Sequence, residues 1–181
     1  MKYLLFLNLF VSATLNPTLL HSQTTLLFSG HTWNVKSGNG GPGPNNWSDS
    51  YESVWVDNNG YLHLKIRKQG DTWLCSEIYS RVSFGYGKYK FLVYGNVEEF
   101  DPNVVAGLFT YENDEREIDI EFSRWGDPES ETGWYTVQPP PYTNSQYNFA
   151  LNLSTNLSTH QFQWVEDSIQ FQSFRGHQAG P

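Results

Sequence analysis

The sequence predicts an all-β fold made of many short strands. Of its 181 residues 17% are aromatic, with seven Trp, eleven Tyr and twelve Phe, which excludes an intrinsically disordered chain. Period-two alternation of apolar and polar side chains recurs along the chain, whereas no stretch shows a convincing helical period. Clusters of Gly, Pro, Asn and Asp separate the alternating stretches. This arrangement is typical of a β-sandwich or a jelly roll.

Eight segments carry the alternation and are predicted to be strands. The first, Tyr61–Ile66, follows the turn sequence Asp57–Gly60 and places Leu62, Leu64 and Ile66 on one face. The others are, in chain order, Tyr86–Tyr94, Val104–Thr110, Glu117–Phe122, Trp134–Gln138, Gln146–Leu153, His160–Val165 and Ser168–Phe174. Before the first of them, the Gly-, Pro- and Asn-rich segment Ser37–Ser50 predicts a long connecting loop.

Charge and cysteine content exclude several classes of protein. The formal net charge is −8 with only eleven Lys and Arg side chains, which argues against binding nucleic acids through their phosphates. The single cysteine, Cys75, excludes an internal disulfide and a zinc site of several cysteines, and we expect it to be a small buried strand residue. Four histidines are widely spaced and match no metal-binding motif, namely His31, His63, His160 and His177. We therefore expect no catalytic metal and no cofactor.

The N-terminal segment 1–22 is typical of a secretory signal peptide. Lys2 supplies a positive charge, Leu4–Ala13 is apolar, and cleavage is expected after Ala13 or Ser22. The apolar stretch is too short to span a membrane, and a disordered leader or a membrane-tethered tail is the alternative. We therefore predict a secreted protein, extracellular or periplasmic, with one domain over 23–181. We expect that domain to be monomeric and free of the membrane after signal removal.

The segment that carries chemistry is Glu117–Phe122, in which three carboxylates alternate with three apolar residues. Because side chains two apart share a face of a strand, Glu117, Asp119 and Glu121 are predicted to project together. Three like charges in a row on one face are costly, and twelve of the nineteen acidic residues lie between residues 98 and 131. A strand that needed only solubility would not concentrate acid in this way.

Paired carboxylates suit glycoside hydrolysis, in which one attacks the sugar and the other protonates the leaving oxygen. On a flat strand the outer two Cα atoms lie about 13 Å apart, so the two Glu side chains must lean towards each other, which a curved sheet favours. The central Asp119 would raise the pKa of a neighbour or orient it through a shared proton. A solvated acidic edge and a calcium site are the alternatives.

This segment resembles the signature of the family-16 glycoside hydrolases, the group of lichenases and laminarinases, which reads Glu-apolar-Asp-apolar-Glu. The resemblance implies that Glu117 is the nucleophile, Asp119 the assisting residue and Glu121 the acid/base. Four further stretches resemble the family and extend the likeness over residues 28–176: Trp73–Glu77, Phe84–Tyr89, Val104–Phe109 and Thr159–Trp164. The implied fold is a concanavalin A-like jelly-roll sandwich of two curved antiparallel sheets with a concave glycan-binding cleft. The family also includes members with a structural calcium ion.

Aromatic and polar residues near the signature are candidates for sugar binding, because glycan clefts combine flat rings with hydrogen-bonding groups. Trp125 follows the acidic strand closely, and Trp134 and Gln138 share a face of the next predicted strand. Glu77 occupies a position at which the family often has a substrate-contacting Glu. Asn46 and Trp47, on the long loop, are candidates for a rim. Core packing is expected for the other tryptophans considered, which are Trp33, Trp55, Trp73 and Trp164.

Three hypotheses for function follow. The first is a secreted, retaining endo-β-glucanase acting in carbohydrate metabolism on a β-1,3-1,4- or β-1,3-glucan. The second is a non-catalytic glycan-binding module, or an inactive remnant, because only Ser168–Phe174 follows Trp164 as a strand, and we expect the family's C-terminal strands to be missing. The third is a calcium-dependent structural sandwich, although the alternating acidic strand differs from the contiguous loops that usually bind calcium.

Overall fold

The computed structural model describes residues 24–139 and 145–178 of the chain. The predicted signal segment 1–22 lies outside the described residues, as do Pro140 and Pro141. The chain forms two compact units, of which the first ends at Ser83 and the second begins at Phe84. The all-β prediction is confirmed, since strands and one short 3-10 turn at Val97–Glu99 make up the regular structure of the described residues. Within that part of the chain no helix is long and apolar enough to cross a membrane.

The first unit consists of short strands joined mainly as hairpins. A three-stranded antiparallel sheet has the order β1-β2-β9, and three hairpins pair β3 with β4, β5 with β6, and β7 with β8. The strands are β1 Thr25–Phe28, β2 His31–Val35, β3 Gly38–Gly40, β4 Asn45–Trp47, β5 Val54–Val56, β6 Leu62–Leu64, β7 Arg67–Gln69, β8 Thr72–Leu74 and β9 Ile78–Ser80.

The second unit contains the longer strands, arranged in two antiparallel sheets. One sheet has the order β10-β15-β16 and the other β11-β12-β13-β14. The strands are β10 Gly87–Tyr94, β11 Ala106–Asn113, β12 Arg116–Phe122, β13 Gly133–Val137, β14 Gln146–Phe149, β15 Leu157–Val165 and β16 Ser168–Arg175.

The core of the second unit forms between the apolar faces of these two sheets. Ile118, Ile120 and Phe122 of β12 are 5%, 0% and 2% exposed, and Phe162 of β15 is fully buried. Across the two sheets the ring of Tyr135 stacks on Phe171 at a centroid distance of 4.7 Å. Burying each such side chain contributes roughly 1.5–3 kcal/mol. This core fixes which face of β12 points inward, so that the acidic residues must lie on the other face.

Gly133, in β13, is closely covered by an aromatic ring from the neighbouring strand. It pairs with Phe149 of β14. A Cβ atom at position 133 would lie 2.7 Å from two carbons of the Phe149 ring, which is too close for any side chain. The ring of Phe149 in turn lies 4.4 Å from that of Tyr135. The absence of a side chain at 133 therefore lets the far end of the Phe149 ring approach the backbone of β13.

Two predictions about connecting segments are corrected by the structure. Ser37–Ser50 is not simply a loop, because it contains the hairpin β3–β4, whose Gly- and Asn-rich strands have no apolar alternation to reveal them. Within this hairpin the Asn45 amide donates to the Pro42 carbonyl at 2.6 Å. The strand predicted over Gln146–Leu153 ends at Phe149. Beyond it, Asn152 has a φ of 49°, which is incompatible with continued extension.

The prediction that four tryptophans and Cys75 are buried is confirmed only in part. Trp164 packs against the core of the second unit, and Trp33 and Trp55 are half-buried. Trp73 is 60% exposed, so the core position expected for it is wrong. The hairpin β7–β8 has only three residues in each strand and leaves that ring in solvent. Cys75 is half-buried rather than buried, and its burial raises the pKa of the thiol.

Candidate active site

Strand β12 presents three carboxylates on one face, as its alternation predicts. Asp119 is 5% exposed, and Glu117 and Glu121 on either side of it are half-buried. The turn into the strand is fixed by Asn113, whose side-chain oxygen accepts a hydrogen bond from the Glu115 amide at 3.0 Å. Behind the three carboxylates lies the apolar core, so their backbone positions cannot shift without disturbing it.

The three carboxylates perturb one another because they are close together and shielded from water. Burial and the charges of Glu117 and Glu121 raise the pKa of Asp119 to about 8. Of the two, Asp119 is therefore the carboxyl that favours the protonated form, and it donates a hydrogen bond to Glu117, which raises its own pKa and lowers that of Glu117. Burial also raises the pKa of Glu117, against the effect of that hydrogen bond, and burial and the Glu117 charge raise the pKa of Glu121. Such shifts are typical of catalytic acids and bases.

Strand β11 places two aromatic residues beside the carboxylates. Phe109 lies opposite Asp119 and Tyr111 lies opposite Glu117, and both rings are partly exposed. The Tyr111 hydroxyl donates to Asp114 at 2.9 Å, which fixes its ring next to the first carboxylate. These two residues were not among the sequence-derived candidates. The alternation within β11 shows only that they share a face, and the register that places that face beside the carboxylates is not visible in the sequence.

Strand β13 supplies the other flank. Trp134 lies opposite Glu121 and Thr136 lies opposite Asp119. Thr136, which alternates with Trp134 and Gln138 on one face of the strand but was not among the site candidates, is 2% exposed, and its hydroxyl has no hydrogen-bond partner among the described residues. The predicted candidate Gln138 is half-buried, and its backbone amide donates to the Glu117 carbonyl at 3.0 Å. The structure thus brings Trp134 and Gln138 next to the carboxylates.

Trp125 lies in a tight turn after β12 with its ring in contact with Trp134. Its φ is 52°, a left-handed conformation that is rare for so large a side chain, and the residue is 54% exposed. The Ser123 hydroxyl accepts a hydrogen bond from the Trp125 amide at 3.0 Å, and the Ser123 carbonyl accepts one from the Trp134 indole at 2.9 Å. The two rings meet edge to face with centroids 6.4 Å apart. Two predicted tryptophans therefore form one aromatic corner near Glu121.

The remaining three candidates, Asn46, Trp47 and Glu77, lie in the first unit and contact one another through Lys36 and the β3–β4 hairpin. The Lys36 ammonium forms a 2.8 Å ion pair with Glu77 and lies 4.3 Å from the centre of the Trp47 ring. The Trp47 indole donates to the Gly40 carbonyl at 3.0 Å. Within its own unit, Glu77 is therefore already paired with a cation, whereas no ion pair joins the β12 carboxylates to a described basic residue.

Within residues 24–139 and 145–178, no three His, Cys, Asp or Glu side chains converge to hold a metal ion. On β11 and β13 the residues opposite these carboxylates are Gly107, Phe109, Tyr111, Trp134 and Thr136. Asp114, in the turn before β12, is close enough for its charge to raise the pKa of Glu117. This composition suits proton transfer and nucleophilic attack between a carboxylate pair, with rings available for stacking.

Comparison with known proteins bears on the fold. No protein-family model matches the chain, and no curated protein matches it. Among solved structures it is similar to a Bacillus licheniformis β-glucanase, with a TM-score of 0.61 and 20% identity over 84% of this chain and 75% of that one. It is also similar to a β-1,3-1,4-glucanase (lichenase) from a mouse hindgut metagenome, with a TM-score of 0.60 and 20% identity over 86% of this chain and 72% of that one.

A third similar structure is described as an immunostimulatory antigen and pseudo β-1,3-glucanase of Mycobacterium tuberculosis. Its TM-score is 0.60 and its identity 16%, over 78% of this chain and 63% of that one. At such identities the likeness shows the fold alone. It nevertheless agrees with the resemblance that the Glu-Ile-Asp-Ile-Glu segment indicated independently. The chain has the β-jelly-roll fold of these β-glucanase structures.

Proposed function

We propose that this protein is a secreted, retaining glycoside hydrolase that cleaves a β-glucan-type polysaccharide. The observation that supports this proposal most directly is the burial of Asp119 between Glu117 and Glu121 on one strand face, where burial and the neighbouring charges raise its pKa. A surface that served only solubility would leave these groups hydrated and ionised. Here their proton affinities differ because of burial and mutual repulsion, which is the condition for assigning distinct acid and base roles.

In the first step Glu117 acts as the nucleophile. Its carboxylate attacks the anomeric carbon of the sugar while the bond from that carbon to the leaving oxygen breaks. The hydrogen bond from Asp119 orients Glu117 and offsets part of its burial, which favours the ionised form needed for attack. Glu121, whose pKa is raised by burial, donates its proton to the leaving oxygen. The product is a glycosyl ester on Glu117.

In the second step Glu121, now ionised, removes a proton from water, and the water oxygen attacks the anomeric carbon. The ester bond breaks and returns the electron pair to the Glu117 carboxylate, so that the configuration at the anomeric carbon is retained overall. Asp119 keeps its proton throughout and stabilises the departing carboxylate. Trp134 and Trp125, with Phe109 on the other flank, offer the flat surfaces on which sugar rings of a polysaccharide partner stack.

Reducing-sugar release from barley β-glucan, lichenan, laminarin and xyloglucan tests the proposal. Wild-type protein is expected to release sugar from at least one glucan, and Glu117→Gln is expected to lower that rate by about 10³-fold or more. Glu115→Gln is the matched control, because Glu115 is exposed in the turn before β12. NMR of the first-formed product is expected to show retained anomeric configuration. Equal activity of the two variants, or an inverted product, contradicts the assignment.

A non-catalytic glycan-binding protein is the second candidate. The likeness to a protein described as a pseudo β-1,3-glucanase supports it, since that fold evidently occurs without the named activity. Under this candidate the folded wild-type chain binds a glucan in affinity electrophoresis but releases no reducing sugar, and Glu117→Gln leaves the binding unchanged. Release that depends on Glu117 excludes it.

A further inference from the structure

Charge is distributed unevenly between the two units. Residues 24–83 carry five basic and five acidic side chains, whereas residues 84–178 carry five basic and fourteen acidic ones. In the first unit, three of the five basic residues line a single shallow groove together with two aromatic residues. This basic groove is lined by Tyr51, Glu52, Trp55, Lys65, Arg67 and Lys68. Glu52 is its one acidic lining residue, so the groove is locally cationic in a chain of net charge −8.

Arg67 forms the fixed floor of the basic groove. Its guanidinium donates to the hydroxyl of Ser53 at 2.7 Å and to that of Ser50 at 3.0 Å, and it pairs with the Glu52 carboxylate at 3.0 Å. The Arg67 side chain is only 12% exposed and Ser53 is fully buried. Arg67 therefore anchors the segment before β5, and its charge is largely offset by Glu52. The unbalanced charge comes from the other two basic residues.

Lys65 and Lys68 are exposed, and neither forms an ion pair with another described residue. Lys65 is held at its backbone by a hydrogen bond of 2.9 Å from its amide to the Ser53 carbonyl. Lys68 lies on β7, opposite Trp73 of β8. Because the hydrogen bond to Ser53 holds the backbone of Lys65 and strand β7 holds that of Lys68, the two ammonium groups remain near the groove and are free to contact an anionic ligand.

Trp55, one of the two aromatic residues that line the basic groove, is also held in place. The indole of Trp55 stacks on the His63 ring with a centroid distance of 4.5 Å and an interplanar angle of 2°. His63 in turn contacts the Asp57 carboxylate at 3.1 Å. Tyr51, which also lines the groove, is largely exposed. Flat rings of this kind stack on the apolar faces of sugar rings, while neighbouring cations bind carboxylate or sulfate groups.

We propose that the basic groove binds an acidic polysaccharide, a chain of sugars that carry carboxylate or sulfate groups. This binding site is distinct from the proposed site of hydrolysis on β12. The carboxylates of that strand repel anions and therefore suit a neutral glucan. A polysaccharide is favoured over a nucleic acid because the chain as a whole is acidic and the groove offers only two unpaired ammonium groups. A nucleic acid carries a charge on every nucleotide and requires more cationic contacts for stable binding.

Affinity gel electrophoresis of the full chain tests the proposal, with polygalacturonate, dextran sulfate, laminarin and single-stranded oligothymidylate as ligands at low salt. Wild-type protein is expected to be retarded by polygalacturonate or dextran sulfate, and the retardation is expected to weaken with added salt. The carboxylated and sulfated polymers together show which anionic group the groove prefers.

The test variant is Lys65→Gln combined with Lys68→Gln, expected to lower the association constant for the acidic polymer at least ten-fold with an unchanged melting temperature. The matched control is Lys88→Gln combined with Arg175→Gln, which removes two exposed charges from the second unit.

Trp55→Phe is expected to weaken binding a few-fold, because it reduces the stacking area. Equal retardation of the test and control variants by the acidic polymer overturns the proposal. Binding of oligothymidylate that is as strong as binding of the acidic polymer, and that also depends on the two lysines, overturns it as well. Glu117→Gln is expected to bind the acidic polymer like wild type, so loss of hydrolysis and loss of this site are separately visible.

Discussion

Asp119 donates a hydrogen bond to Glu117, the carboxylate two residues earlier on the same face of β12. The donor is the more buried of the two and the more strongly affected by its neighbours, so it keeps the proton that Glu117 gives up. This ordering makes Glu117 the better nucleophile of the pair. It also makes the protonation of Asp119 a property of the folded state with measurable consequences.

The raised pKa of Asp119 makes the stability of the folded state depend on pH. Folding raises the pKa of Asp119 from 3.8 to about 8, so the folded state keeps a proton that the unfolded chain loses at lower pH. The stabilisation is complete below about pH 4 and is lost as the pH rises towards about 8. Asp119→Asn still offers a donor to Glu117 but has no proton to lose. We expect its melting temperature to match wild type near pH 4 and to exceed it by at least about 3 °C near pH 8.5, by calorimetry.

Asp167→Asn, in the turn between β15 and β16, is the control for that series, because it removes an acidic group remote from the β12 carboxylates in sequence. The difference in melting temperature between Asp167→Asn and wild type is expected to be the same at every pH in that range. If the difference between Asp119→Asn and wild type is also independent of pH, Asp119 is ionised in the folded protein.

Glu121→Gln tests the general acid. The variant cannot protonate a leaving oxygen, so hydrolysis of a glucan is expected to fall by about 10²–10⁴-fold. A substrate with a good leaving group, such as a nitrophenyl glycoside, needs little protonation and should lose much less. Steady-state rates on both substrates measure the difference. If both rates fall equally, Glu121 acts in some other way than by donating a proton.

Thr136→Val tests the buried hydroxyl opposite Asp119. The hydroxyl is 2% exposed and has no partner among the described residues, so the folded state bears its desolvation cost without a compensating hydrogen bond. Valine has the same shape without the polar group, and it is expected to stabilise the fold by about 1 kcal/mol. Thr136→Ser keeps the hydroxyl and serves as the control. Destabilisation by valine alone, measured by urea unfolding, would reveal a hydrogen bond made through water.

Trp125→Asn tests the aromatic corner. Asn tolerates the left-handed conformation at this position better than Trp does, so the fold is expected to keep its stability. Loss of the ring is expected to weaken glucan binding about ten-fold, since a stacked aromatic pair contributes about 0.5–1.5 kcal/mol beyond its buried area. Trp73→Asn removes a comparably exposed ring from the first unit and should leave glucan affinity unchanged. Isothermal titration with laminarin or lichenan oligosaccharides measures the affinity of each variant. An equal loss of affinity in Trp125→Asn and Trp73→Asn would contradict a specific role for Trp125.

The sequence predicts the acidic strand better than it predicts the surroundings of that strand. The alternation over residues 117–122 is enough to place Glu117 and Asp119 on one face and Ile120 in the core, because both faces of a strand follow from period two alone. Phe109 could not be identified in this way, and for Thr136 the alternation shows only that it shares a face with Trp134 and Gln138. Their closeness to Asp119 depends on strand register, which is set by pairing between segments distant in sequence.

The errors outside the site have the same physical origin. The hairpin within Ser37–Ser50 is held together by backbone and Asn side-chain hydrogen bonds, and such bonds leave no hydrophobic pattern in the sequence. Trp73 was assigned to the core by its residue type, whereas its exposure is decided by the short two-stranded hairpin that carries it. Residue type predicts burial only where the strand belongs to a sheet with a packed face.

The close cover of Gly133 by Phe149 also couples two positions that are sixteen residues apart in sequence. In a mutational library, any larger residue at 133 should survive selection only with a smaller one at 149. The same exclusion should act over evolutionary time, so that relatives of this protein vary at the two positions together or at neither. Gly133→Ala alone and Gly133→Ala with Phe149→Leu would then form a non-additive pair, in which the second substitution repairs the first.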